Sequence, residues 1–177
     1  MKHGYAFLLL PTLLMFVAAS VSAATREEIK QLDAIQLPGT KWICRGEAMV
    51  QIRTQRLIFK DIARASVISV SGKSRRYRME RVSTLNGAVK SRYTYETTSA
   101  LTEDAFLDEI DPDTLLISYP EDAKEKARLS RLFRDHVRSR QQFEDISITR
   151  FPEWDIAAVP DDPTHMRYHC APAEHSG

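Results

Sequence analysis

Charged side chains are the groups in this sequence with the clearest capacity for binding chemistry, because they are sorted along the chain by sign. Residues 51–92 hold eleven basic side chains and two acidic ones, a net charge of +9. Residues 96–125 hold ten acidic side chains and one lysine, a net charge of −9. Opposed fields of this size can steer a charged partner toward one surface. The alternative is that the two segments lie on neighbouring strands and neutralise each other.

The densest part of the basic segment combines arginines with a tyrosine, the two residue types favoured as anchors in protein interfaces. If these side chains are exposed, they form the expected contact patch for a protein partner. The candidate basic patch comprises Arg75, Arg76, Tyr77, Arg78, Arg81 and Arg92.

Sequence signatures of catalysis are missing. The chain contains no Gly-x-Ser-x-Gly elbow, no His-Glu-x-x-His motif and no glycine-rich phosphate loop. Five acids between residues 104 and 113 could supply an acid and base pair for glycoside hydrolysis, although carboxylates at this density are more often solvated turn residues. We therefore expect that the chain is not an enzyme, with a hydrolase as the alternative. The five acids are Asp104, Asp108, Glu109, Asp111 and Asp113.

The histidines do not predict a metal site. His165-x-x-x-His169 has zinc-ligand spacing only on a helix. On the strand expected there, the two imidazoles lie about 13 Å apart at ~3.3 Å per residue, too far to share one ion. His136 falls on the apolar stripe of an expected helix, and we expect it to be a partly buried core residue. No metal and no cofactor is therefore predicted.

Residues 1–23 have the features of a secretory signal peptide. Lys2 supplies a positive start, residues 5–19 are an almost continuous apolar run, and Val21-Ser22-Ala23 places small residues before a cleavage site. The apolar run is shorter than the roughly 20 residues of a membrane-spanning helix. We predict cleavage after Ala23, no stable membrane insertion afterwards, and a periplasmic or secreted mature chain.

Export changes the interpretation of the two cysteines, Cys44 and Cys170. In an oxidising compartment, a lone pair of cysteines more often forms a disulfide than a redox or metal site. A bond between them closes a loop of 126 residues. For a loop of that length, chain entropy gives a stabilisation of roughly 4–5 kcal/mol as an upper figure. Two unpaired buried thiols are the alternative.

The composition suits one ordinary globular domain over residues 24–177, since 43% of the chain is hydrophobic and 28% is charged. No internal repeat or linker divides it. The formal charge of the 177-residue chain is +1, so the molecule is not a polycation built to coat nucleic acid. No nucleic-acid partner is predicted.

The elements that must position these side chains follow from local patterns. Thr25 and Glu28 have capping-box spacing, which predicts a helix of about ten residues that ends before Pro38. After it, the hydrophobic period changes to two, which places Trp42 and Cys44 on one face of a strand.

Short strands then follow in a meander. Asn86-Gly87 predicts one hairpin, residues 111–113 predict another, and apolar spacing predicts a helix over about residues 120–140. A last strand over residues 164–170 carries the second cysteine, which suits closure against the first strand. The predicted fold is a β-rich α+β domain: an antiparallel up-and-down β-barrel or strongly curved sheet, with a short N-terminal helix and one longer helix before the last strands.

The segment Leu37-Pro38-Gly39-Thr40-Lys41-Trp42 carries a glycine followed shortly by a tryptophan at the entrance of the first strand. With the up-and-down meander, this pattern resembles the lipocalin-like (calycin) small β-barrels. The resemblance implies a barrel fold. It also implies a basic side chain near the chain end that packs across the tryptophan, for which Arg167 is the matching residue. Fold alone does not imply a function.

Three functions are compatible with these features. The first is an exported, non-catalytic binding protein, an inhibitor or immunity-type protein that binds a protein partner through charged surfaces. The alternative is a carrier of a small apolar or anionic ligand inside the barrel, which requires an interior cavity of several hundred Å³. The third is a hydrolase whose surface carboxylates converge in a cleft.

Overall fold

The computed structural model describes residues 22–52, 54–157 and 166–173. Residues 1–21 of the predicted signal peptide, and His165, lie outside the described residues. The described part contains helices α1 (Arg26–Ala34) and α2 (Ala123–Asp135), a one-turn 3-10 helix (Phe143–Asp145) and nine strands. The strands are β1 (Lys41–Ile52), β2 (Gln55–Ser71), β3 (Ser74–Leu85), β4 (Ala88–Leu101), β5 (Ala105–Tyr119), β6 (Arg138–Gln142), β7 (Ile146–Arg150), β8 (Glu153–Ile156) and β9 (Arg167–Pro172).

The nine described strands form one antiparallel sheet in the order β6-β5-β4-β3-β2-β1-β9-β8-β7. Every pair joins strands that are consecutive in the chain, except the pair of β1 with β9. The sheet curls into a half-barrel, with a short helix on the N-terminal side and a longer helix before the last strands. This confirms the predicted fold class.

Neither helix of the described part has the length and the apolar character needed to cross a membrane.

Helix α1 starts at the predicted capping box. The Thr25 hydroxyl accepts a hydrogen bond from Glu28 N at 3.3 Å, and the Glu28 carboxylate accepts one from Thr25 N at 2.8 Å. The hydrogen bonds that the Thr25 N–H and the Thr25 hydroxyl donate to the Glu28 carboxylate lower the pKa of Glu28. The inner side of α1 packs against the segment that links the two edge strands, β6 and β7. The resulting cluster consists of Ala24, Ile29, Phe143 and Ile146.

The β1–β9 pair is closed by a disulfide. Cys44 lies directly opposite Cys170, and their sulfur atoms are bonded. The predicted cysteine pairing and the predicted contact of the first and last strands are both confirmed. On the same face of β1, the buried Trp42 ring meets Trp154 of β8 edge-on, with 4.6 Å between the ring centroids.

Local turn chemistry explains the β3–β4 hairpin. Asn86 and Gly87 have φ angles of +49° and +81°, a region in which few residues other than glycine and asparagine are unstrained. The Asn86 side chain also accepts a hydrogen bond from Ile58 N at 2.8 Å, which ties the turn to β2. The hairpin predicted at this dipeptide is confirmed.

The hairpin predicted at residues 111–113 is wrong, because β5 continues through them as one strand. The Thr114 hydroxyl donates to Asp111 O at 2.7 Å and accepts from Glu96 N at 2.8 Å. The turn-forming residues therefore make a bulge against β4 rather than a chain reversal.

The C-terminal part of the predicted longer helix is also wrong. Helix α2 ends at Asp135, and Arg138–Gln142 pair with Ala105–Glu109 of β5 as strand β6. Backbone hydrogen bonds to an open sheet edge outweigh the helical preference of these residues, which is only a weak determinant.

Candidate functional site

Alternation of side chains along the strands divides the predicted basic patch between two faces of the sheet. Odd-numbered residues of β3 face the concave side of the half-barrel, and even-numbered ones face the convex side. The six residues therefore do not form one surface: Arg76, Arg78 and Arg92 are exposed, whereas Arg75, Tyr77 and Arg81 face the interior. A role for any of them in binding a protein stays a prediction.

On the convex face, the basic and acidic segments meet across neighbouring strands. Arg76 Nη2 lies 2.8 Å from Glu96 Oε2, and Arg78 Nη2 lies 3.0 Å from Glu96 Oε1. Arg76 Nη2 also lies 3.5 Å from Asp111 Oδ2. The hydrogen bond from Arg78 and the two guanidinium charges lower the pKa of Glu96. At these positions the charged segments neutralise each other.

On the concave face, a buried ion pair ties the end of α1 to β3. Arg75 Nη1 lies 2.5 Å from Asp33 Oδ1, and Arg75 Nε donates to Gln36 O at 3.2 Å. The Tyr77 hydroxyl donates to Gln36 Oε1 at 2.6 Å. Burial raises the pKa of Asp33, and the charge of Arg75 opposes that rise.

A second polar cluster on the concave face surrounds Asp61 of β2, which is 3% exposed. Its carboxylate accepts hydrogen bonds from the Arg81 guanidinium, from Ser83 Oγ at 2.7 Å and from Tyr168 Oη at 3.0 Å. Tyr168 crosses β1 at Gly46, where a Cβ would lie 2.8 Å from the tyrosine ring. The cluster thus joins β2, β3 and β9.

Helix α2 lies over the concave face beside this cluster. The ring centroid of Phe133 lies 4.9 Å from that of Tyr93 and 5.2 Å from that of Tyr95. No residue of α2 is itself fully buried. The Phe133 ring of α2 therefore contacts two tyrosine rings of β4.

The concave face also holds a cavity of about 260 Å³. Its lining comes from the α1 region and from eight of the nine described strands, so the cavity is the interior of the half-barrel. Both tryptophans of the chain contribute to it. The aromatic lining residues are Trp42, Tyr77, Tyr95, Phe106 and Trp154.

Asp108 of β5 is the only Asp, Glu, Lys or Arg among the lining residues of this cavity that the structure describes. Burial raises the pKa of Asp108, and hydrogen bonds with Ser99 and Ser139 partly offset the rise. The buried indole Nε1 of Trp42, another lining residue, has no hydrogen-bond partner in the described part of the chain. The cavity therefore offers a ligand a carboxyl group and an unpartnered indole N–H, among other polar side chains.

The five acids that motivated the hydrolase alternative do not share one surface. Asp108 lines the cavity, whereas Glu109 pairs with Arg138 on the convex side. Asp104 and Asp111 pair with Arg140 and Arg76, and Asp113 is exposed.

The expectation that His136 is a partly buried core residue is wrong. Helix α2 ends one residue earlier, and His136 is exposed with its Nδ1 2.9 Å from Leu132 O. His169 is also exposed, with its Nδ1 2.7 Å from Asp155 Oδ1. The described residues contain no group of three or more His, Cys, Asp or Glu side chains that could hold a metal ion.

The expected packing of Arg167 across Trp42 is wrong as well. Arg167 pairs in register with Glu47 and is exposed on the convex face, because it alternates with the inward-facing Tyr168. The ring that contacts Trp42 is that of Trp154.

Comparison with known proteins gives no relative from which a function could be carried over. No protein-family model matches this chain, and neither a curated protein nor a solved structure matches it significantly. The functional argument therefore depends on the chain's own residues.

Proposed function

We propose that this chain is an exported, non-catalytic binding protein that holds a small molecule in the cavity of the half-barrel. The observation that carries the proposal is the cavity of about 260 Å³, lined by five aromatic rings. An apolar protein cavity of about 150 Å³ is enough to bind benzene. The space here therefore suits a ligand of one or two rings or an apolar chain of similar volume.

Export is the part of the proposal that rests on the N-terminal segment and on the disulfide. Val21-Ser22-Ala23 has the pattern of a signal-peptidase site, and the bond of Cys44 with Cys170 fits an oxidising compartment. We propose a periplasmic or secreted location. Mass spectrometry of the mature protein tests it, since the proposal requires an N-terminus at Ala24.

A relation to the lipocalin-like barrels belongs to the same proposal. It is supported by the curled up-and-down sheet and by Trp42, which follows Gly39 and lines the cavity. The exposed position of Arg167 argues against a close relation.

Intrinsic fluorescence tests ligand binding directly, because Trp42 and Trp154 both line the cavity. The probes are 2-phenylethylamine, 2-phenylethanol and phenylacetate, which share one ring and differ in charge. We expect at least one probe to change the emission saturably at or below millimolar concentration. If none of the three does so, the small-molecule proposal is wrong.

A cavity-filling variant distinguishes binding inside the cavity from binding to the protein surface. Ala65 lines the cavity, so Ala65→Phe should occupy part of it and abolish the response. Ala88 is exposed at the start of β4, and Ala88→Phe is the matched control that should leave the response unchanged.

Binding of a protein partner by an inhibitor or immunity-type protein is the second candidate function. The outer part of β5 favours it: beyond Glu109, this edge has no strand partner in the described residues, and Leu116 and Tyr119 are 70% and 42% exposed there. Leu116→Glu should abolish capture of a partner from an extract of the source compartment, whereas Leu107→Glu should not. Capture that survives high salt would oppose an interface built on the charged segments.

A further inference from the structure

The cavity contains one carboxyl group and no basic side chain among its described lining residues. The two arginines of β3 on the concave face are already paired, since Arg75 contacts Asp33 and Arg81 contacts Asp61. Arg138 and Arg140 of the neighbouring strand β6 are exposed and pair with other acids, Glu109 and Asp104. No arginine or lysine of the described residues therefore lines the cavity as a partner for Asp108.

The groups that do face Asp108 are neutral. Ser99 and Ser139 hydrogen-bond with its carboxylate. Burial raises the pKa of both Tyr77 and Tyr95, and the negative charge of Asp108 adds to the rise, so these phenols keep their protons. Among the described residues, this half-buried carboxylate thus has no counter-ion, and removing an unpaired carboxylate from water is costly.

The aromatic lining complements the same charge. A ring face carries negative electrostatic potential and attracts a cation placed within about 6 Å of the ring centre. Five of the eighteen lining residues are aromatic, and they come from β1, β3, β4, β5 and β8. A cation in the cavity would therefore meet a carboxylate and aromatic rings from five strands, whereas an anion would meet the like charge of the carboxylate.

We propose that the cavity selects a small organic cation, an amine or quaternary ammonium carried on an apolar group, with the Asp108 carboxylate as its counter-ion. This inference rests on the proposed small-molecule function and replaces the apolar or anionic ligand expected from the sequence. The apolar part of the ligand packs among the rings, and the ammonium group lies at β5.

The three one-ring probes measure this selectivity, because they differ chiefly in the charge of the end group. By titration calorimetry at neutral pH, 2-phenylethylamine should bind at least about tenfold more tightly than 2-phenylethanol, and phenylacetate should bind most weakly. Equal affinity of the amine and the alcohol, or tightest binding of phenylacetate, overturns the inference while leaving small-molecule binding intact. Failure of all three probes overturns both proposals.

The Asp108→Asn variant tests the role of the carboxylate. It should remove the preference for the amine and leave 2-phenylethanol affinity within about twofold. Asp113→Asn makes the same chemical change at an exposed position of β5 and should leave the preference intact. An amine preference that persists in Asp108→Asn overturns the inference.

The pH dependence of the unaltered protein gives a readout that does not depend on a variant folding. Protonation of Asp108 removes its charge, so amine affinity should fall as the solution becomes acidic. The affinity of 2-phenylethanol should not fall over the same range. Parallel behaviour of the two probes overturns the inference.

Discussion

Strand β3 places two arginines, three residues apart, in different electrostatic surroundings. Arg81 on the concave face pairs with Asp61, and the two side chains are 29% and 4% exposed. Arg78 on the convex face pairs with Glu96, and the two side chains are 69% and 18% exposed. The residue types are alike, but a buried charge depends on its partner, whereas water screens an exposed pair. We therefore expect changes on the concave face to affect stability more than changes on the convex face, which mainly carries solvated charge.

The largest expected effect is that of Asp61→Ala on the concave face. The change leaves Arg81 without its counter-ion and removes the acceptor of Ser83 and Tyr168. We expect a loss of about 3–5 kcal/mol in the free energy of unfolding, measured by urea denaturation. Glu80→Ala, which breaks an exposed pair with Arg64, is the control and should change stability by less than about 0.5 kcal/mol. Similar losses of unfolding free energy in the two variants would contradict the expectation that ion pairs on the concave face matter more for stability than those on the convex face.

Removal of the β1–β9 disulfide should have the next largest effect. Replacing Cys44 and Cys170 together by alanine releases a loop of 126 residues in the unfolded chain. We expect a loss of about 2–4 kcal/mol in the free energy of unfolding. The unaltered protein in reductant is the control and should lose a similar amount. Unchanged stability in both samples would show that the bond contributes little to the concave core.

Asp108→Asn should change how stability depends on pH. Burial holds the pKa of Asp108 above its ordinary value of 3.8, so the folded state binds more protons than the unfolded state above that pH. Stability of the unaltered protein therefore falls as pH rises from about 3.8 through the raised pKa. The asparagine variant lacks this loss and should melt about 2–4 °C higher at neutral pH. If the stability of Asp108→Asn relative to the unaltered protein does not increase between acidic and neutral pH, the assignment is wrong. Asp113→Asn is the control and should show no such increase.

The smallest effect is expected on the convex face, from Glu96→Gln. The arginine side chains of its two pairs are 46% and 69% exposed, so the melting temperature should fall by no more than about 2 °C, less in high salt. Because the Glu96 pKa is lowered, this contribution is present at neutral pH and disappears as the solution becomes acidic. A loss that is insensitive to salt and pH would mean that Glu96 acts through packing rather than through charge.

Features set by short-range rules could be predicted from the sequence. The α1 capping box needs only Thr25 and Glu28, and the β3–β4 turn needs only Asn86-Gly87. The disulfide follows from the presence of only two cysteines, one near each end of the mature chain. Each of these features is specified by the type and the sequence position of only two residues.

Features that depend on pairing across the sheet could not be predicted in the same way. The basic patch was defined by counting charge along the chain, which ignores that Arg75 and Arg76 point to opposite faces. Asp108 was grouped with turn acids, although it alternates with Phe106 and Ile110, a pattern that could have indicated an inward position. The cavity itself arises from eight strands and has no local sequence signal.

The seam between β1 and β9 has a consequence for incomplete chains. Strand β9 supplies both the neighbour of β1 and the thiol that bonds to Cys44. A polypeptide that stopped before Arg167 would present an unpaired strand edge and a free sulfhydryl on that same strand. We expect two such fragments to add edge to edge and to become covalently linked, whereas in the folded chain β9 occupies both the strand edge and the thiol.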